Sequence, residues 1–276
     1  MLTHFLHPAV LTIAGSDSSG GAGVQADLKT MTSLGCYGMT VITALTAQNT
    51  QGVQGVYPVS TEVVLAQLNA VFEDIPPVTV KIGMLHDQAL IEGLYHFLKD
   101  RNVRIVLDPV MVATSGDVLL EPDSLQSLQT LLFPLASLIT PNIHEIDLIS
   151  GKKNSSKETM GESALAMAHK WGSPFLVKGG DLQGCGTSSD VLAVPGSDRL
   201  LWFESERVET RNTHGTGCTL SSAVASHLAL GYSLDEAVSL SKKYISAALE
   251  HGKNQSWGQG RGPVNHMWNL KKSIRR

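Results

Sequence analysis

The stretch AVLTIAGSDSSGGAGVQADLKTMTSLG, residues 9–35, contains the unit from which the rest of the chain is built. Its first six residues are apolar or β-branched and run straight into glycines, the pattern of a buried strand entering a loop. Beyond the glycines, Val24, Leu28, Met31 and Leu34 recur at steps of four and three, which predicts a helix with one apolar face that stops at Gly35. Strand, glycine-rich turn and helix in that order make the first half of a βαβ unit.

The same alternation continues outward. Strand-like runs at MTVITALT (39–46), VTVKIGM (78–84), VRIVLD (103–108), SLIT (137–140) and PFLVK (174–178) are separated by stretches with helical spacing, one of them QALIEGLYHFLK (88–99) with Asp87 as its N-cap. An α/β fold follows, with a mostly parallel sheet covered on both faces. From Asp190 to Thr210 two short strand-like runs flank the turn signal PGSD (195–198), which predicts an antiparallel hairpin on the sheet edge. Two helices close the chain, CTLSSAVASHLAL ending at Gly231 and a second opened by a capping box of Ser233 and Glu236. With no repeat, linker or break in composition, residues 1–276 read as one domain.

Composition removes whole classes of function. The chain has 276 residues, 42% of them hydrophobic, and a formal charge of −4; its basic residues are scattered apart from the terminal KKSIRR, so no nucleic-acid partner is expected. Cys36, Cys185 and Cys218 form no CxxC pair and have no metal-like spacing to histidine, which excludes a disulfide framework or a zinc site and fits a reducing compartment. The N-terminus has no basic leader, and its apolar run is too short and interrupted to span a bilayer, so the expectation is a soluble cytoplasmic protein with no membrane partner.

Three stretches carry chemistry. The glycine loop after the first strand exposes backbone amides at a helix start, which suits an anion, but it lacks both the GKS or GKT ending of a P-loop and the GxGxxG of a dinucleotide fold. In RNTHGTGCTLSSA (211–223) Gly215 and Gly217 flank Thr216, so the amides of residues 215–218 can converge at a second helix start, a nest for charge developing on a transferring phosphoryl group. Cys218 stands in that first turn, where a thiol pKa tends to fall. Taken alone, the stretch leaves Cys218 open between a small buried hydrophobe and a reactive thiol. Third, Asp108, Asn142, Glu145 and Lys178 all lie at predicted strand ends, the rim where open parallel sheets bind ligands, and Asp108 and Glu145 could hold Mg2+. His144, His169, His227 and His251 read as packing or surface residues, Cys36 as an unactivated thiol and Cys185 as an exposed loop thiol.

Taken in order, LTIAGSDSSGGAGVQADLKT, VITALTAQNTQGV, KIGML, VLDPVM, LITPNIHE, LVKGG, NTHGTGCTLSSA and GPVNH resemble the ribokinase-like superfamily, specifically the hydroxymethylpyrimidine phosphate kinases of thiamine biosynthesis, over nearly the whole chain. The resemblance implies a three-layer α/β/α sandwich, ATP and Mg2+ as cofactors, and phosphorylation of 4-amino-5-hydroxymethyl-2-methylpyrimidine and then of its monophosphate. By matching positions it implies that Gly15, Ala22, Asp27, Gln48, Met84 and Val110 line the pyrimidine pocket, with Gln48 reading the amine edge. Asn142, Glu145, Lys178 and Thr213 would handle the nucleotide, with Asp108 and Glu145 on the metal. It also implies a homodimer.

The related sugar kinases carry a general-base aspartate where this chain has Cys218. If Cys218 is a base, Cys218→Ala cuts phosphorylation of the alcohol far more than that of the monophosphate; equal losses leave it a positional role. Relatives often have lysine where Thr114 stands, so a phosphate-reaching cation is missing there. The rival readings are a pyridoxal kinase, against which Gln48 in AQNT argues, and a catalytically silent vitamin-binding protein, which would be expected to have lost Asp108, Glu145, Lys178 or the glycine nest.

Overall fold

The structure is a computed structural model, and it describes residues 7–111, 124–180, 182 and 186–270. Thr114, Cys185 and the terminal basic cluster lie outside the described residues. The chain runs β1 (Ala9–Ala14), α1 (Gly23–Ser33), β2 (Tyr37–Ile42), β3 (Ala44–Asn49), β4 (Gly52–Pro58), α2 (Thr61–Asp74), β5 (Thr79–Ile82), α3 (Gln88–Leu98) and β6 (Arg104–Leu107). It continues with α4 (Ser124–Ser127), β7 (Leu138–Ile139), α5 (Ile143–Ser150), α6 (Lys157–Trp171), β8 (Phe175–Lys178), β9 (Thr187–Ala193), β10 (Leu200–Glu206), α7 (Thr216–Ala229) and α8 (Leu234–Gly252).

Among the described residues the main sheet has the strand order β10-β9-β8-β7-β6-β5-β1-β2. β9 pairs antiparallel with both β8 and β10, and the other pairings are parallel. The expected edge hairpin is therefore present, and its first strand begins at Thr187. From β1 the chain passes to β2 on one side and later to β5 on the other. That reversal opens a crevice beyond the carboxyl ends of β1 and β5, the usual place for a ligand in such sheets.

Alternation along the strands sorts the core into two layers. Leu11, Ile13, Val80, Ile82, Ile105 and Leu107 pack on the side of α2 and α3, whereas Val10, Val106, Leu138, Leu176 and Leu192 pack under α7 and α8. The sheet lies between two helical layers, the three-layer α/β/α sandwich expected. Two strand positions break the apolar pattern on the α7 side. Thr12 and Lys81 are register partners on β1 and β5, both fully buried.

One expected strand is divided. MTVITALT reads as a single β run, but the main sheet ends at Ile42, and Ala44–Asn49 pairs with Gly52–Pro58 in a separate two-stranded sheet. The reason is tertiary. Thr43 donates its amide to Ala14 O (3.0 Å) and its hydroxyl to Met84 O (2.8 Å), which bends the chain away across the ends of β1 and β5. The β3–β4 hairpin thus overhangs the crevice, and its register shifts between the Ala47–Gly55 and Gln48–Val53 pairs, leaving Gln54 of β4 as the extra residue.

Candidate active site

The residues expected at strand ends come together. Asp108, Asn142 and Lys178 follow or end the neighbouring strands β6, β7 and β8, and Asn142 and Lys178 form an isolated parallel bridge. Lys178 Nζ lies 2.6 Å from Asp108 Oδ1, which also accepts from Thr140 Oγ1 at 2.9 Å. Asn142 caps α5 in a reciprocal box: its side chain accepts from the Glu145 amide (2.9 Å), and the Glu145 carboxylate accepts from the Asn142 amide (2.7 Å). Glu145 is 5% exposed, and Asp108 and Lys178 are close enough to act on it. Burial pushes the Glu145 carboxyl up to about 7, with Lys178 opposing and Asp108 adding to the rise. Asp108 moves the other way, because Lys178 and Lys81 outweigh its burial and hold it below the usual carboxylate range.

The first turn of α7 faces this cluster. Gly215 takes φ +80, and a side chain there would collide with Gly21 O, so the two glycine loops touch backbone to backbone at a position closed to other residues. No side chain caps α7. The expected four-amide nest is narrower, however, since both the amide and the hydroxyl of Thr216 turn back to Thr213 O (3.2 and 2.6 Å). Gly217 and Cys218 remain at the mouth. A Cβ built on Gly217 would stand 3.4 Å from Lys178 Nζ and 3.7 Å from Asp108 Oδ2, so the missing side chain keeps open a gap between the lysine and the helix start.

On the crevice's other wall, Gly15 and Met84 meet: a Cβ on Gly15 would lie 2.9 Å from Met84 Sδ and 3.6 Å from Ala44 O. Ala22 starts α1 and donates its amide to Asp17. Val110 is half-buried just beyond Asp108, and Gln48 is held over the first glycine loop by Ser18, whose Oγ lies 2.8 Å from Gln48 O and 3.0 Å from its amide. Asp27 sits elsewhere than expected. It is fully buried behind this wall, with both oxygens engaged by Thr12 (2.6 Å), Lys81 (2.8 Å) and Ser222 (2.6 Å).

Two residues absent from the sequence reading prove central. Lys81 is fully buried in β5; its burial is outweighed by Asp27, Cys218 and Asp108, which hold it above the usual lysine range. The signal was available, since a lysine inside a strand with helices on both faces must find a carboxylate. The second is His214, whose Nε2 lies 2.7 Å from Asp17 Oδ2, joining the loop before α7 to the loop after β1. Burial alone would raise Asp17, but His214, Ser19 and the Ala22 amide bring it down to about 2.

Together, Asp27 of α1 and Asp108 at the end of β6 brace α7. Ser222 donates to Asp27 and the neighbouring Ser221 reaches Asp108 Oδ2 at 3.3 Å, each acid being paired with a lysine on a strand. Cys218 lies over these charges. Burial, with Asp27 and Asp108 adding to it and Lys81 opposing, pushes its thiol up to about 11, contrary to what a helix start alone predicts. The site therefore holds a neutral thiol at pH 7. Alkylation of Cys218 by iodoacetamide, followed by mass spectrometry of its peptide, should quicken about tenfold per pH unit from 7 to 10, where an ordinary thiol levels off near its pKa of about 8.5. A plateau at pH 8 would show a thiolate instead.

This architecture has close relatives. A family model described as phosphomethylpyrimidine kinase matches residues 17–265. The chain is 49% identical over 257 residues to the hydroxymethylpyrimidine/phosphomethylpyrimidine kinase of Rhizobium meliloti, covering 93% of this chain and 96% of that protein. A crystal structure of phosphomethylpyrimidine kinase from Clostridium difficile is 45% identical, with a TM-score of 0.76 over 88% of this chain and 99% of that one. An ADP complex of Bacillus subtilis pyridoxal kinase is 36% identical, with a TM-score of 0.87 over 96% of this chain and 100% of that one. The fold is thus shared by proteins named for two kinase specificities, and of these the pyrimidine kinases are the more similar in sequence. Since the matched span takes in the glycine turn before α7 and both acid–lysine pairs, the chain belongs to the phosphomethylpyrimidine kinase family.

Proposed function

We propose that this site transfers the γ-phosphoryl group of ATP to the hydroxymethyl group of 4-amino-5-hydroxymethyl-2-methylpyrimidine and then to the monophosphate so formed, a step of thiamine biosynthesis. The observation that carries it is the gap beside Gly217, with Lys178 on one side and the uncapped start of α7 on the other. Charge that spreads over phosphoryl oxygens during transfer meets a fixed cation and fixed amides there, with no reorganisation needed. Asn142, Glu145, Lys178 and Thr213 lie on the nucleotide side of the gap in this reading, and Gly15, Ala22, Gln48, Met84 and Val110 on the pyrimidine side, with Asp27 behind.

The donor set fits a magnesium ion. Asp108 and Glu145 are two buried carboxylates beside one lysine; burial raises Glu145 and the Asp108 charge adds to the rise, and a hard divalent cation would favour the ionised form of both. Glu145, backed by Asp108, would hold it, and when bound it would neutralise charge on the polyphosphate.

Cys218 acts by position in this scheme. A thiol with a pKa of about 11 offers almost no thiolate at neutral pH, and a loose phosphoryl transfer asks little of a base until late in the reaction. Cys218→Ala should therefore slow both phosphorylations by a similar factor of about ten. A loss confined to the alcohol substrate, measured by separating mono- from diphosphate, would reinstate the base.

The assay that tests the whole reading supplies ATP, Mg2+ and either the hydroxymethylpyrimidine or pyridoxal, and resolves the products. A larger kcat/KM for pyridoxal would replace the pyrimidine assignment, and no turnover of either would leave a binding protein. The reading includes a cytoplasmic homodimer. Supporting it, Leu45 and Tyr57 stand opposite each other on the outer hairpin, 52% and 63% exposed, the described cysteines Cys36 and Cys218 are free thiols, and no described helix is long and apolar enough to cross a membrane.

A further inference from the structure

The side-chain amide of Gln48 has two chemically different ends, an acceptor oxygen and a donor nitrogen, and which end faces a ligand decides what the pocket can read. Its main chain leaves little freedom. The Gln48 amide and carbonyl are both tied to Ser18 Oγ, and Gln48 pairs with Val53 in the β3–β4 ladder. What remains is rotation of the terminal amide, and Thr46 controls it.

Thr46 is 8% exposed, and its Oγ1 lies 2.7 Å from Ser16 O and 3.1 Å from Gln48 Oε1. A hydroxyl has one proton. Ser16 O is a carbonyl in a buried loop with no proton of its own, and the contact to it is the shorter, so the proton goes there. With Oε1 facing Thr46, two oxygens would then confront each other with no hydrogen between them. Turned by half a rotation about its last bond, the amide donates Nε2–H to Thr46 Oγ1 and every group is satisfied. Oε1 is thereby directed away from Thr46, with one N–H left beside it.

We infer that Thr46 is a specificity-determining residue: by committing its proton to Ser16 it orients the Gln48 amide oxygen toward the ligand, so that the pocket selects a ring bearing an amine hydrogen over one presenting an oxygen. The inference rests on the reading above that Gln48 faces the pyrimidine. It assigns to Thr46 what Gln48 cannot do alone, because a freely turning amide accepts a 4-amino group or donates to a phenolic oxygen equally well. An aminopyrimidine is thereby distinguished from a 3-hydroxypyridine such as pyridoxal.

The test measures how much the amine is worth in each variant. The ratio of kcat/KM for 4-amino-5-hydroxymethyl-2-methylpyrimidine to that for 5-hydroxymethyl-2-methylpyrimidine is determined for wild type, Thr46→Val, Thr46→Ser and Gln48→Leu, and partial loss of folded protein cancels within each ratio. In wild type and Thr46→Ser the amine should be worth roughly 10- to 100-fold. In Thr46→Val that ratio should shrink to about fivefold or less, and kcat/KM for pyridoxal should rise relative to the aminopyrimidine. Thr46→Ala carries the same expectation without the added methyl. An undiminished ratio in both apolar variants, with a collapsed ratio in Gln48→Leu, would overturn the role of Thr46. A full ratio in Gln48→Leu would instead remove Gln48 from the pocket and the inference with it.

Discussion

Lys178→Met lowers kcat for both phosphorylations by about a hundred- to a thousand-fold, the usual loss when one fixed donor to a developing oxyanion is removed. The size follows from placement. Lys178 is 12% exposed, its ammonium is anchored on Asp108, and it faces the gap beside Gly217 from the side opposite the α7 amides. A lysine so held needs no reorientation as charge develops. KM for the pyrimidine should change little, because the interaction grows in the transition state. The substitution also leaves Asp108 without its cation, although Thr140 and Ser221 still donate to it. Gly217→Ala separates the two effects. Its methyl group fits against the protein at ordinary contact distance but occupies the gap, so activity should fall at least tenfold while the melting temperature stays within a few degrees. A Gly217→Ala enzyme with full activity would mean that phosphate does not pass there.

What could be read beforehand and what could not divides along a physical line. β1 appears at Ala9–Ala14, the span of its apolar run, and Asp87 and Ser233 cap their helices as expected, because caps and apolar periodicity are local properties. The strand ends carrying Asp108, Asn142 and Lys178 were legible for a topological reason: parallel strands deliver their carboxyl ends to one rim. The break at Thr43 was not legible, since Thr-Ala-Leu-Thr has strand propensity throughout and the bend comes from bonds to Ala14 and Met84, neither of them a sequence neighbour. The environment of Cys218 was not legible for the same reason. A helix start lowers a thiol pKa, but burial overrides it, and the charges that add to the rise, Asp27 and Asp108, or oppose it, Lys81, come from other parts of the chain.

Lys81→Met should produce the largest loss of stability of any single change in this part of the molecule. Lys81 and Asp27 are both fully buried, 2.8 Å apart, and removing one member of such a pair strands the other charge in a medium that cannot solvate it. The usual cost is roughly 3–5 kcal/mol, which for a chain of this size lowers the melting temperature by roughly 10 °C. Lys81→Met with Asp27→Leu removes both charges and should recover part of that loss, since Thr12 and Ser222 then lack an acceptor but no ion is left buried. Activity should not recover with it. Ser222 lies one helical turn beyond Cys218, so its bond to Asp27 fixes the start of α7, and the double variant loses that bond with the Asp27 carboxylate. The double variant is therefore expected to be more stable than Lys81→Met yet still at least tenfold below wild type in kcat. A double variant with wild-type turnover would reduce the pair to a structural device, and a single variant as stable as wild type would show that Asp27 finds solvent or another cation.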